Sequence, residues 1–229
     1  VAGQSLSEPL IVDTATGGPG VVLDQLALLV NQVAGSSPIK TLTGGITKKI
    51  ALNQNQLSER FGVPCLLEND TALVGLGEAL VGAGQGHAIV VYLTISTGVG
   101  GVRIVDGQID RNHSGFEPGH QIINYLEANK TFEDYVSGRA VAEQFGAPPK
   151  TITDPKFWQT TSQLVGYGVY NSILHWSPDI VVLGGGMFGS PGIQLAEVRK
   201  TVEQTLKIFP ACPPLVAAQL GALGGLHGA

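Results

Sequence analysis

Short apolar runs alternate along this chain with segments of helical periodicity, and several of these runs end in clusters of glycine. The strongest run, residues 88–94, is apolar along its length, which is typical of a strand buried on both faces of a sheet. Residues 155–176 have helical spacing and lead into another apolar run at residues 179–183. Strands that alternate with helices predict an α/β architecture, for which 229 residues provide one large domain or two lobes.

The same patterns predict the individual elements. Asp106-Gly107 is a favoured two-residue turn, so it predicts a β-hairpin between its flanking runs. The predicted helices are residues 19–33, 53–61, 71–81, 131–145, 155–176, 193–208 and 219 onward. The predicted strands are residues 10–12, 39–43, 64–67, 88–94, 100–105, 108–110, 179–183 and 215–217.

Composition excludes several classes of protein. Hydrophobic residues make up 43% and charged residues 14% of the chain, which argues against general disorder. Thirteen Lys and Arg against eighteen Asp and Glu give a net charge of -5, so nucleic acid is not an expected partner. No apolar run is long enough for a membrane span, and the first residues lack the pattern of a signal peptide. Two cysteines cannot form a disulfide scaffold, so we expect a reducing compartment, the cytoplasm.

The first candidate motif, Glu68-Asn69-Asp70, stands where a predicted strand ends and a helix begins. Ligands of open α/β sheets bind at the carboxyl ends of strands, so an aspartate there can act as a general base. The neighbouring Asn69 would then orient a substrate hydroxyl. Helix capping is the alternative, because Asn and Asp are both favoured at N-caps.

The second candidate motif, Leu-Thr-Ile-Ser-Thr-Gly-Val-Gly-Gly at residues 93–101, follows the strongest predicted strand. Hydroxyl groups and unhindered backbone N–H groups at a strand end can hold a phosphate. The segment lacks the Gly-Lys-Ser/Thr of a Walker motif. A plain glycine-rich hairpin has the same sequence, so both interpretations stay open.

Three further segments also have more than one interpretation each. Glu117 and His120 suit a polyol, a metal or a solvated loop, but zinc needs three or four ligands and no cysteine is near in sequence. Glu133 can face a ligand, whereas Thr131 and Asp134 around it predict helix capping. Residues 181–187 form an apolar run that ends in glycines, which suits an adenosine lying on the backbone or a simple turn.

Taken together, these segments resemble the ROK family of sugar kinases and sugar-responsive repressors. The resemblance extends from about residue 64 to the end and includes the glycine-rich terminus at residues 220–229. Each motif is weak alone, but five motifs in the correct order are specific. The matching segments are Leu67–Ala72, Ile95–Gly101, Gly115–His120, Phe132–Gly138 and Ile180–Gly186.

The resemblance implies an actin/hexokinase-type fold, in which two α/β lobes enclose a cleft for sugar and nucleotide. One lobe would comprise residues 1–86 and the C-terminal helix 219–229, and the other residues 87–218. Asp70 would take a proton from a sugar hydroxyl, which then attacks the γ-phosphate of ATP. The implied ligands are a hexose, ATP and Mg²⁺, and the implied assembly is a homodimer.

The other site residues follow from the same resemblance. It implies sugar contacts by Asn69, Glu117, His120 and Glu133, a phosphate loop at Ser96, Thr97 and Gly98, and an adenosine-side turn at Gly184, Gly185 and Gly186. The family's zinc loop, Cys-x-Cys-Gly-x-x-Gly-Cys, is absent, and Thr131 stands at the position of its last cysteine. We therefore expect no structural zinc and interpret His120 as a sugar contact only.

The front of the chain departs from the family. The Asp-x-Gly-Gly-Thr phosphate loop with which the family opens has no match, since residues 13–18 resemble it only superficially and predict a strand-to-helix junction. A family segment near Ile46-Thr47 is also missing. Either cleft-lining segments are missing from this sequence, which we favour, or the chain binds sugar without kinase activity.

Two functions therefore compete. The first is an ATP-dependent hexose kinase, and the second is a sugar sensor, as a repressor's effector domain or a pseudokinase. Repressors of the family carry an N-terminal helix-turn-helix and a basic surface. Neither is recognised in this sequence, so DNA binding is not expected.

Overall fold

The computed structural model describes residues 8–46 and 52–229. These residues alternate between strands and helices, as the apolar pattern predicts. The strands are β1 (Leu42–Ile46), β2 (Cys65–Asn69), β3 (Ile89–Ile95), β4 (Val99–Val105), β5 (Gln108–Ile109), β6 (Ile180–Gly184) and β7 (Leu215–Ala217). The α-helices are α1 (Pro19–Ala34), α2 (Gln54–Phe61), α3 (Asp70–Val81), α4 (Phe132–Val136), α5 (Gly138–Phe145), α6 (Pro155–Trp176), α7 (Leu195–Thr205) and α8 (Gly224–Gly228).

The strands form two sheets. β1 and β2 pair in parallel, and the other sheet has the strand order β5-β4-β3-β6-β7. β3 is antiparallel to β4. β4 is also antiparallel to β5, which confirms the hairpin predicted through Asp106-Gly107. β3 is parallel to β6, with Thr94 opposite Gly184. The turns that follow β3 and β6 therefore open at the same edge of the sheet.

The larger sheet is buried on both faces, as the apolar run at residues 88–94 predicts. Val91 and Leu93 in β3 pack into a cluster with residues of α4, α6 and α7. Val90 and Tyr92 point the other way, into a cluster that includes residues of α3. Each fully buried side chain of this kind contributes about 1.5–3 kcal/mol of transfer free energy, so β3 is the centre of the fold.

Helix boundaries follow local capping signals. α2 begins with a capping box between Asn53 and Gln56 and ends at Gly62, which has a left-handed conformation. α6 begins after Asp154, whose side chain accepts a hydrogen bond from the Lys156 N–H. The predicted helices at residues 19–33, 53–61, 71–81 and 155–176 are confirmed, within one or two residues at their ends.

Some predicted elements are wrong. Residues 10–12 form no strand, and the residues directly after them lie against α1, since the Gln25 side chain bonds the Asp13 carbonyl and the Ala15 N–H. The predicted helix 131–145 is broken at Ser137, whose extended backbone separates α4 from α5 and whose Oγ caps α5.

Strand and terminus boundaries also differ. The strand predicted at residues 39–43 lies at Leu42–Ile46 instead, because it continues through Gly44 and Gly45 to pair with β2. The last helix starts at Gly224, after a short 3-10 turn, and not at residue 219. The family segment that we expect to be missing near Ile46-Thr47 falls partly on residues 47–51, which lie outside the described part of the chain.

Within residues 8–46 and 52–229, no helix has both the length and the hydropathy needed to cross a membrane.

Candidate active site

Asn69 and Asp70 lie where β2 ends and α3 begins. Asn69 is the N-cap of α3, and its Oδ1 accepts a hydrogen bond from the Ala72 N–H at 3.1 Å. Asp70 is half-buried, and its Oδ1 accepts from the Thr71 N–H at 2.7 Å. Asn69 thus has the capping role that the alternative interpretation gave it. The Asp70 Oδ2 takes no hydrogen bond from the described residues, so it keeps its lone pairs for a substrate proton.

Ser96, Thr97 and Gly98 form the turn between the antiparallel strands β3 and β4, so the segment is both a hairpin and a candidate phosphate loop. The Ser96 and Thr97 carbonyls accept hydrogen bonds from the Gly138 and Arg139 N–H groups at 2.7 and 3.2 Å. This orients the loop with its carbonyls toward α5. Among the described residues, the N–H groups of Thr97 and Gly98 have no hydrogen-bond partner and are available to a phosphate.

Glu133, in α4, contacts this loop directly. Its Oε2 accepts a hydrogen bond from the Val99 N–H at 2.7 Å, and its Oε1 lies 2.8 Å from the Arg139 guanidinium. The side chain is only 18% exposed. Asp134 beside it accepts hydrogen bonds from the Thr131 N–H and Oγ1, which confirms the capping prediction. These hydrogen bonds from Thr131 hold the pKa of the Asp134 carboxyl below its usual range.

The loop also reaches the Asp70 side of the site. A β-carbon on Gly100, at the start of β4, would lie 3.0 Å from the Thr71 Oγ1. Thr71 follows Asp70 directly, so the end of the phosphate loop and the candidate base are neighbours. Gly45 in β1 has a similar role, because its β-carbon would lie 2.9 Å from the Asp70 Cα. A side chain at Gly45 would therefore displace Asp70.

Glu117 precedes a short 3-10 helix, Pro118–His120, of which His120 is the last residue. This helix packs against β4. The His120 Nε2 and the Glu117 Oε2 are 3.9 Å apart, and both side chains are exposed. Glu117 shares a cavity of about 220 Å³ with Asn69, Glu68, Asn112 and Ser114. This polar cavity has the hydroxyl-binding groups that a sugar needs.

The turn after β6 meets the same edge of the sheet. Gly185 has φ of 103°, and its β-carbon would lie 2.2 Å from the Ile95 carbonyl oxygen. The Ile95 carbonyl also accepts the Met187 N–H at 3.1 Å. The second glycine turn therefore lies against the end of β3, beside the first, while Gly186 is open to its surroundings.

The structure thus does not bring all the predicted residues to one place. Asn69 and Glu117 share the polar cavity, whereas Asp70, His120 and Glu133 do not line it. Glu133 contacts the phosphate loop instead. Sequence reasoning missed Gly45, Thr71 and Arg139, whose positions depend on contacts between distant segments. For Gly45 the sequence contains one signal, because the glycine pair Gly44-Gly45 after an apolar run indicates that the backbone comes close to another segment.

No group of three or more His, Cys, Asp or Glu side chains with metal-site geometry occurs in the described part of the chain. A polar network lies where the resemblance places the zinc loop. Glu127 accepts hydrogen bonds from Lys130 at 2.6 Å and from the Tyr135 hydroxyl at 2.8 Å. The hydrogen bond from Lys130 holds the pKa of the Glu127 carboxyl below its usual range.

Comparison with known proteins identifies the family and the fold of this chain. The model of the ROK family matches residues 45–229, so the chain belongs to the ROK family. Its α/β fold is that of ROK hexokinases, with the actin-like architecture. The crystal structure of the ROK hexokinase from Thermus thermophilus is similar with a TM-score of 0.79 and 25% identity, over 96% of this chain and 87% of that one.

Relatives within the family differ in what they do. A fructokinase of Pediococcus pentosaceus is 26% identical over 75% of this chain and 65% of its own length. A xylose repressor of Bacillus subtilis is 24% identical over 65% of this chain and 44% of its own length. This chain therefore spans less than two thirds of these curated relatives. A Streptomyces griseus ROK glucokinase in complex with glucose and AMPPNP has the same fold, with a TM-score of 0.72 and 22% identity over 95% of this chain and 88% of that one.

Proposed function

We propose that this chain is an ATP-dependent hexose kinase in which Asp70 is the general base. One observation carries the proposal: the half-buried Asp70 carboxylate has a free oxygen and lies one residue from Thr71, which packs against the end of the phosphate loop at Gly100. A base for a hydroxyl and a cradle for a phosphate are therefore side by side. Phosphoryl transfer depends mainly on such positioning and on neutralisation of charge.

In the proposed reaction, the Asp70 carboxylate accepts the proton of one sugar hydroxyl. The oxygen of that hydroxyl forms a bond to the γ-phosphorus, and the bond between the γ-phosphorus and the β–γ bridging oxygen breaks. ADP leaves with the electron pair. General-base assistance of this kind typically contributes 10²–10⁴-fold in rate.

The sugar would lie in the cavity between Asn69 and Glu117 and extend beyond it to Asp70, the residue next to Asn69. Asn69 is held by its capping hydrogen bond, so its amide has a fixed orientation toward the cavity. His120 and Glu133 are proposed to contact the sugar when the lobes of residues 1–86 with 219–229 and residues 87–218 close on it. Closure would exclude water as a competing acceptor.

ATP would bind at the shared sheet edge. The Thr97 and Gly98 N–H groups suit a phosphate, and the Gly184–Gly186 turn leaves its outer side free of side chains for the adenosine. The glucokinase bound to glucose and AMPPNP supports the choice of nucleotide. Mg²⁺ held mainly by the phosphates of the nucleotide would supply charge neutralisation.

The proposal also includes a compartment and an oligomeric state. ATP as co-substrate and the free cysteines Cys65 and Cys212 favour the cytoplasm as the compartment. A homodimer stays a prediction from the family resemblance.

Sugar binding without phosphorylation is the second candidate, because a xylose repressor is among the relatives. One experiment separates the two. The purified chain is incubated with MgATP and a panel of glucose, mannose, fructose and N-acetyl sugars, and ADP and sugar phosphate are both measured. The kinase proposal expects equal amounts of ADP and hexose phosphate with at least one sugar. Binding of a sugar by calorimetry without any phosphate transfer would refute the kinase and support the sensor.

A further inference from the structure

We propose that Arg139 is a catalytic residue that contacts the γ-phosphate when ATP binds, while its guanidinium stays beside Glu133; this inference rests on the proposed kinase function. Arg139 is fixed beside the phosphate loop, because its N–H donates to the Thr97 carbonyl at 3.2 Å. Its guanidinium lies 2.8 Å from Glu133, and the same carboxylate accepts the Val99 N–H at 2.7 Å. One carboxylate group thus separates the guanidinium from the loop.

The charge of Glu133 creates a problem that Arg139 solves. A β-carbon on Gly98 would lie 2.7 Å from the Glu133 Oε2, so this carboxylate is in contact with the loop that the phosphates would occupy. A phosphate beside an unpaired carboxylate is repelled. The guanidinium neutralises Glu133 before ATP arrives.

The loop has no cation of its own. Residues 93–101 and 184–186 contain neither lysine nor arginine. Lys130, which precedes α4, is paired with Glu127 at 2.6 Å. Charge that develops on the transferred phosphoryl group therefore needs a cation from outside the loop, and Arg139 is the described arginine already bonded to it.

The Arg139 side chain is free enough to reach a bound phosphate. It is 53% exposed, and its second carboxylate neighbour, Asp134, is 3.9 Å away. Among the described residues, Glu133 and Asp134 lie near only its Nη2, so the rest of the guanidinium can turn to a phosphate without loss of the ion pair. The planar guanidinium can donate to a phosphate oxygen and to Glu133 at the same time.

The test compares a nucleotide with a γ-phosphate to one without. Calorimetry with Mg²⁺ measures the binding of AMPPNP and of ADP to the parent and to Arg139→Gln. We expect AMPPNP affinity to fall by at least about tenfold, because a charge-assisted contact is lost, while ADP affinity changes less than about twofold. The turnover number with a hexose should fall by about 10²–10³-fold, the usual cost of removing one group that stabilises transition-state charge. Arg60→Gln is the matched control, since Arg60 is a similarly exposed arginine paired with Asp24.

A double variant separates direct contact from simple neutralisation of Glu133. Glu133→Gln keeps an oxygen for the Val99 N–H and removes the charge. If Arg139 contacts the phosphate, the double variant Glu133→Gln with Arg139→Gln stays weak for AMPPNP. Recovery of parent affinity in the double variant would overturn the inference.

The remaining outcomes are also decisive. Equal loss of ADP and AMPPNP affinity in Arg139→Gln, or no loss of either, overturns the inference while the kinase proposal stands. A parent that binds neither nucleotide refutes both. If Arg139→Gln does not fold, Glu133→Gln alone decides, because an unpaired Arg139 must bind AMPPNP at least as tightly as in the parent; weaker binding contradicts the proposal.

Discussion

Replacement of Glu78 by glutamine should destabilise the chain far more than a change of one oxygen to an amide nitrogen suggests. Glu78 lies in α3 and is 0% exposed. Its Oε2 accepts a hydrogen bond from the Ala83 N–H at 2.9 Å, and its Oε1 accepts from the Gln219 and Leu220 N–H groups at 2.8 Å each. Ala83 belongs to the connection from α3 to β3, and the other two follow β7. One carboxylate therefore ties together both connections between the parts of the chain expected to form the two lobes.

The magnitude follows from the number of acceptors. Glutamine has one acceptor oxygen, so it can serve only one of the two connections, and its NH₂ group then faces a backbone N–H on the other side. The variant loses at least one charge-assisted hydrogen bond, worth about 1.5–3 kcal/mol, and leaves a buried donor unpaired at about 1–3 kcal/mol. We expect a loss of about 2–5 kcal/mol, a large part of the 5–15 kcal/mol that typical domains possess.

Urea denaturation measures this loss, and amide hydrogen exchange locates it. Exchange should accelerate most at Ala83, Gln219 and Leu220. Glu143→Gln is the control, because Glu143 is exposed in α5, and its stability should change by less than about 0.5 kcal/mol. A Glu78→Gln variant within about 0.5 kcal/mol of the parent, with unchanged exchange at residues 219–220, would refute the tie.

Two further predictions concern local geometry. Gly185→Ala should lower the free energy of unfolding, measured by urea denaturation, by about 1–3 kcal/mol, because Gly185 has φ of 103° and the new β-carbon would lie 2.2 Å from the Ile95 carbonyl oxygen. Gly186 has open space around it, so the control Gly186→Ala should lower it by less than about 0.5 kcal/mol, and equal losses in the two variants would show that the backbone of Gly185 is not strained. Asp134→Asn should be less stable than the parent at neutral pH. Since Thr131 lowers the pKa of Asp134, its contribution is present above the pKa of an unfolded aspartate and disappears as the pH falls through the lowered value. A stability difference that persisted at lower pH would show that charge is not the cause.

Local signals were sufficient for most of the fold. The helical spacing and the Asp154 cap define α6 within the sequence itself, and the apolar run at residues 88–94 defines β3. The apolar triplet at residues 10–12 was misleading, because hydropathy does not reveal that the residues directly after it, Asp13 and Ala15, bond the Gln25 side chain of α1. Ser137 broke a predicted helix for a similar reason. Its N-cap role depends on backbone conformation, which a favourable helical pattern on both sides conceals.

The site was predictable only where the chemistry is contiguous in sequence. Asn69 and Asp70 are adjacent, and their position at a strand end suggested a base and its neighbour. The partners of Glu133 and Glu78 come from other segments: Val99 is 34 residues from Glu133, and Leu220 is 142 residues from Glu78. Such contacts arise from topology, so a single sequence contains no periodic signal for them.

The central claim is that Asp70 transfers the proton in phosphorylation of a hexose. The most direct measurement compares the parent, Asp70→Asn and the exposed-site control Asp24→Asn for turnover with MgATP and for sugar affinity by calorimetry. We expect Asp70→Asn to lower kcat by at least about 10²-fold while sugar affinity stays within a few-fold of the parent, because the amide keeps the volume and loses only the base. The control should match the parent in both. Near-parent turnover by a correctly folded Asp70→Asn variant would contradict the account.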